Sequence, residues 1–291
     1  MPVSTWAIAE PQKLTFDAPV RSLDVRVVGG AVNIVGTDEP TARLEVSEID
    51  GPPLTVTLQD GVLTVAYEGL PWNGFLKWFD RQGRNHHAVV SLAVPARAAV
   101  TVGVVGAGAV VSGIRGRTNL RGVTGDTTLV GLSGPVRAET VSGSVEAQSV
   151  TGELRFQTVS GDLTVVEGAG GRIRGDSVSG TMVLDLDPDP SGTPADIRLT
   201  TVSGEIAIRL PHPADATVEA NTASGAVSNG FEDLRVGGSW GAKKITGTLG
   251  TGTGTLRATT VSGSIALLRR PAHDDPHDTD PRDAEQTGKV L

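Results

Sequence analysis

The chain has 291 residues, among them 38 glycines, 17 prolines, no cysteine and only ten aromatic residues: five Phe, four Trp and one Tyr. The missing cysteines exclude a disulfide framework, a thiolate metal site and a cysteine nucleophile. A formal charge of −8 argues against a nucleic-acid binder, which shows a basic stripe.

Residues 1–14 form an N-terminal segment with neither the basic nor the apolar region of a secretory signal. The longest uncharged stretch, Ala98 to Ile114, mixes glycine and valine and reads as buried strands, not a membrane helix. The expected compartment is therefore the cytoplasm, with membrane association by peripheral contact left open.

Residues 15–110 read as an irregular β cap and first coils. Leu23–Val27 and Ala31–Val35 flank Gly29-Gly30, and Leu54–Leu58 and Val62–Val65 flank Asp60-Gly61, a hairpin-type turn. An insertion at 71–86 interrupts this region. There Trp72, Phe75, Trp78 and Phe79 place four aromatics in eight residues, accompanied by Lys77, Arg81 and Arg84. Trp72, Phe75, Leu76 and Phe79 keep the spacing of one helical face. Two readings stand: a lid packed on the first coils, or an exposed docking segment (Trp72, Phe75, Lys77, Trp78, Phe79, Arg81) for a protein partner or a membrane surface.

Residues 111–270 carry an internal repeat. An aliphatic–Ser/Thr–Gly triplet ends at Gly113, Gly125, Gly134, Gly143, Gly152, Gly161, Gly180, Gly204, Gly225, Gly247 and Gly263, four of the spacings being nine in a row. Apolar residues usually follow the glycine two and four positions on, as in Val145 and Ala147 or Leu163 and Val165. Each unit is thus a short strand with one buried face and a corner. The aliphatic residue is expected to point inward, and the glycine to supply positive φ at the corner. Two units make an 18-residue coil, and stacked coils bury what one cannot. The fold expected is all-β, a β-solenoid too thin to hold large rings in every layer. Residues 271–291, with six acidic residues against Arg282 and Lys289, read as a disordered acidic tail.

The Val-Ser-Gly ladder resembles a bacterial "putative adhesin" domain-of-unknown-function family, a β-strand-repeat fold also called toastrack and found in LiaG-like proteins. The residues that carry the resemblance are Thr246–Gly250, Gly252-Thr253-Gly254, Thr260–Ile265, Leu210-Pro211 and Ala220–Gly225, with Val94-Pro95-Ala96 at the entry to the repeats. It covers roughly residues 15–268 and implies a β-solenoid with an adhesin-like binding role, linked to envelope-stress or membrane-associated complexes.

Signals for chemistry are sparse. Gly237-Gly238-Ser239-Trp240-Gly241 fits G-x-S-x-G but is expected to be a loop, since a nucleophile elbow needs a following helix and a later histidine in the fold. His273 to Asp278 offers tail ligands for a metal, a solubilising tail being the plainer account. His86-His87 lacks a nearby acid in the sequence and is expected to be exposed. Asp162, Asp176, Glu153 and Arg155 suit an outer face of the kind carbohydrate-active β-helix enzymes use, and equally a solvated one. No catalytic residue, cofactor or metal is assigned. The expected function is a non-enzymatic scaffold or binding module presenting rows of Thr, Gln, Glu and Arg to a protein or glycan partner, with no nucleic acid. A self-assembling structural protein and a carbohydrate-active enzyme are the alternatives.

Overall fold

The computed structural model describes residues 3–67, 86–169, 171–188, 192–239 and 241–271. Alternation of Val, Ile and Leu with polar residues builds twenty-six β-strands, and no helix occurs among the described residues. The strands form two long mixed sheets, one of 14 strands and one of 12.

The middle of each sheet is parallel, and the chain alternates between the sheets. The 14-stranded sheet takes β9 (Ala99–Val104), β11 (Thr118–Gly122), β13 (Val136–Glu139), β15 (Leu154–Gln157), β17 (Arg172–Asp176), β19 (Asp196–Thr200) and β25 (Gly254–Thr260). The 12-stranded sheet takes β10 (Gly108–Ser112), β12 (Thr127–Val130), β14 (Val145–Gln148), β16 (Leu163–Gly168), β18 (Met182–Leu186), β20 (Ile206–Leu210) and β26 (Ile265–Arg269). Thr118 lies opposite Val136 and Val136 opposite Leu154; Thr127 lies opposite Val145 and Val145 opposite Leu163. Each of these partners is 18 residues along, the distance the paired triplets predict.

Antiparallel strands close both ends of the 14-stranded sheet. At one end, the Asp60-Gly61 turn (φ 51° and 77°) joins β6 (Leu54–Gln59) to β7 (Val62–Tyr67), and β1 (Ser4–Ile8) lies outside β6. At the other, β21 (Ala216–Thr222) pairs with β25 and carries the hairpin of β23 (Leu234–Ser239) and β24 (Ala242–Leu249). The returning chain thereby slots β25 between β19 and β21.

The inward residues of both sheets form one apolar core of Val, Leu, Ile and Ala. Its largest fully buried side chain, Phe156, stands in register between Ala138 and Gly175. The neighbouring layers give up volume so that one ring fits, which is why rings are rare along the repeat.

The corners differ from the expectation in two ways. Leu132 and Val150 point inward as expected, but Val141, Val159, Val178, Val202 and Val261 are 36–52% exposed. At that corner the inward place belongs to the residue before the valine: Thr140, Thr158, Ser177, Thr201 and Thr260 are buried. The hydroxyls of Thr158, Ser177, Thr201 and Thr260 accept the glycine N–H three residues on, at 2.8 Å, 2.7 Å, 3.1 Å and 3.0 Å, while the Thr140 hydroxyl donates to Thr158 Oγ1. The working motif is therefore Thr-Val-Ser-Gly, with a polar inner corner. Second, the glycines are required by crowding more than by φ. Among the triplet glycines only Gly113 (φ 66°) lies well inside the left-handed region. A Cβ on Gly204 would sit 1.9 Å from the Gly180 carbonyl oxygen, and one on Gly180 the same distance from that of Gly161. Ten of the eleven triplet glycines, Gly113, Gly125, Gly134, Gly143, Gly152, Gly161, Gly180, Gly204, Gly225 and Gly263, lie between strands, whereas Gly247 lies inside β24.

Candidate binding face

Parallel stacking in fixed register turns a single outward position into a row. On the 14-stranded sheet that row reads Asn119, Arg137, Arg155, Arg174, Arg198, Arg257, Glu219. Five arginines thus stand on five adjacent strands, their Cα atoms recurring about every 4.8 Å. The equivalent row of the 12-stranded sheet reads Val110, Thr128, Glu146, Thr164, Val183, Ala207, Ala266, without a cation. The two faces are therefore chemically distinct.

Carboxylates flank the arginines but serve them unevenly. Glu139 contacts Arg137 and lies 3.3 Å from Arg121. Asp196 lies 3.4 Å from Arg172 and 3.6 Å from Arg174. Glu219 is 3.8 Å from Arg257 and 3.2 Å from Lys244, whose ammonium holds the Glu219 carboxyl below its ordinary range. Arg155 and Arg198 have no carboxylate within 4 Å among the described residues. The Nε atoms of Arg155 and Arg174 are buried without a hydrogen-bond partner.

Stacking five like charges is costly. Two unit charges about 4 Å apart repel by about 1 kcal/mol in bulk water and about 4 kcal/mol near a protein surface, and like charges on adjacent strands destabilise a sheet. A surface serving only solubility intersperses the two signs. Planar guanidinium groups have forked donors whose geometry matches carboxylate, sulfate or phosphate.

The flanking positions complete the face. On one side run Arg121, Glu139, Gln157, Asp176, Thr200 and Thr259, and on the other Arg172, Asp196 and Thr255. No aromatic residue stands in these three rows.

The residues singled out in the sequence are scattered over the fold. Trp72, Phe75, Lys77, Trp78, Phe79 and Arg81 lie outside the described residues, between β7 in one sheet and β8 (His87–Pro95) in the other. Of Glu153, Arg155, Asp162 and Asp176, the structure brings Arg155 and Asp176 onto the arginine face, and Glu153 borders it, 3.7 Å from Arg172. Asp162 sits instead at the entry to β16 in the other sheet, accepting the Thr181 N–H at 2.7 Å. Gly237, Gly238 and Ser239 end β23 and Gly241 leads into β24, strand–turn–strand, so no elbow occurs among the described residues, Trp240 lying outside them. His87 is exposed and finds an acid after all, Glu48 at 3.7 Å; His86 is half-buried, edge-on to Tyr67 with centroids 4.8 Å apart. The tail from Ala272 onward, with His273 and His277, is outside the described residues. Among the described residues no three His, Asp or Glu side chains group to hold a metal, and no helix is long and apolar enough to cross a membrane.

Local sequence patterns do not reveal the row, because its arginines are 18, 19, 24 and 59 residues apart. The signal that finds it is the position four residues after Ser133, Thr151 or Gly170, read against the repeat instead of against the neighbours.

No protein-family model matches the chain, and no curated protein matches it. Several solved structures align with most of it. A "putative adhesin" from Bacteroides fragilis is 8% identical, with 90% of this chain and 98% of that one covered and a TM-score of 0.42. A "putative lipid binding protein" from Parabacteroides distasonis is 11% identical over 91% and 98%, with a TM-score of 0.42. A "putative cell adhesion protein" from Clostridium sporogenes is 11% identical over 90% and 100%, with a TM-score of 0.29. Likeness at this level transfers no function to the chain, whose own geometry has to supply it.

Proposed function

We propose that this chain is a non-enzymatic β-solenoid that works as a binding module, its two sheets forming the walls of successive 18-residue turns. The outer face of the 14-stranded sheet is its working surface, and its partner is anionic. One observation carries this reading: Arg137, Arg155, Arg174, Arg198 and Arg257 stack in register, and two of them have no carboxylate partner among the described residues. Such a row opposes folding and favours an anionic ligand, so it is explained by binding. The solenoid gives the row its rigidity, since each arginine is placed by a strand pinned on both sides.

The test is retention on immobilised heparin at low salt. The wild-type chain is expected to be retained and to elute as salt rises, because exposed charge contacts are screened. The double variant Arg155→Gln/Arg198→Gln is expected to pass through, while Arg43→Gln, on the other sheet, elutes with the wild type. Equal retention of the double variant, or no retention of the wild type, sinks the proposal.

A further inference from the structure

We infer that the polymer received by this face is a linear acidic polysaccharide, lying along the row and across the strands. The inference rests on the binding-module reading and names its ligand class. Length comes first. From Arg137 on β13 to Arg257 on β25 the row crosses five adjacent strands, a run of about 19 Å at ordinary strand spacing. A single small anion would engage one or two guanidinium groups. An extended chain with a negative group on each monomer engages all five.

The flanking rows decide what kind of chain. Gln157, Thr200 and Thr259 on one side and Thr255 on the other offer amide and hydroxyl groups. Glu139, Asp176 and Asp196 offer carboxylates, which only accept hydrogen bonds. A ligand satisfying both kinds of row must carry anionic groups along its centre and hydroxyl donors along its edges. Uronate and sulfated saccharides do so. An acidic peptide supplies the charges without the hydroxyl donors that the edge rows would receive. A single-stranded nucleic acid needs aromatic platforms for its bases, and these rows contain none.

The experiment compares labelled hexamers binding to the full chain by fluorescence anisotropy: a hexagalacturonide, its methyl ester, a heparin-derived hexasaccharide, hexaglutamate and hexathymidylate. At least one charged saccharide is expected to bind about tenfold more tightly than hexaglutamate or hexathymidylate, and methyl esterification should abolish galacturonide binding. Gln157→Ala/Thr200→Val should weaken the saccharide and leave hexaglutamate unchanged. If hexaglutamate or hexathymidylate matches the better saccharide while heparin retention persists, the ligand class is overturned and the anion-binding face survives. If heparin retention is lost as well, both fall.

Discussion

The same substitution, Thr to Val, has opposite signs at two positions of this chain. Thr158 is buried, and its Oγ1 accepts the Gly161 N–H at 2.8 Å and receives the Thr140 hydroxyl at 3.0 Å. Thr158→Val strands both donors at the inner corner, so a loss of roughly 1–3 kcal/mol is expected. Thr118 is also buried, but its Oγ1 has no partner among the described residues, and the next strand carries Val136 at the same register position. Thr118→Val removes a buried orphan hydroxyl at nearly constant volume and is expected to stabilise by about 1 kcal/mol. Urea midpoints of the two variants check both signs. Asp215 gives a residue-scale pH effect. Its carboxylate accepts the Thr251 and Thr253 hydroxyls and the Gly252 and Thr253 N–H groups, which lowers its pKa to about 2 from 3.8. The stabilisation it adds is whole above pH 3.8 and disappears as pH falls through 2. Asp215→Asn is therefore expected to lower the melting temperature at pH 6 and to narrow its gap from wild type at pH 2.

At the scale of the element, the arginine row is expected to trade stability for binding. Arg155 is held between Arg137 and Arg174, and it bridges no carboxylate among the described residues. Arg155→Gln removes two like-charge contacts and no ion pair, so the variant should melt higher than the wild type while losing affinity for heparin. The gain should shrink in high salt, which screens the repulsion; a variant that melts lower would mean that the stacked guanidinium groups hold the sheet together. The strands themselves were legible in the sequence, because alternation after each glycine marks a half-buried strand whatever its neighbours do, and the spacing of nine already contained the 18-residue register. The corner chemistry was legible only in part. Leu132 and Val150 follow the simple rule, but at Thr158-Val159-Ser160-Gly161 a buried threonine takes the inner place because its hydroxyl satisfies an N–H that valine would orphan. The candidate site was the least legible. A net charge of −8 conceals a local positive row, and Arg174, Arg198 and Arg257 come together only through pairings 24 and 59 residues long that no local pattern announces.

For the whole molecule, a stack of equivalent layers between two special ends predicts that length is adjustable. The strand edges of the parallel middle would be open templates for another chain if exposed. In the 14-stranded sheet they are covered at one end by β6 and β1, and at the other by β21, β24 and β23. The layers between need only match one another: residues 136–153 begin at Val136, which pairs below with Thr118 and above with Leu154. A tandem duplication of residues 136–153 should therefore fold, since its first copy keeps the pairing to Thr118 and its second the pairing to Leu154, with Val136 on Val136 at the new junction. On the proposed solenoid reading, stability is close to a sum over layers and their interfaces, so the duplicated chain should be at least as stable as the wild type, with a larger dependence on denaturant. Small-angle scattering should show a molecule longer by about 4.8 Å, one strand spacing. The duplication also copies Arg137 and Glu139, extending the row to six arginines, and heparin should release it at higher salt. A duplicated chain that is destabilised, or that is no longer than the parent, would show that the two sheets are not walls of one repeating turn.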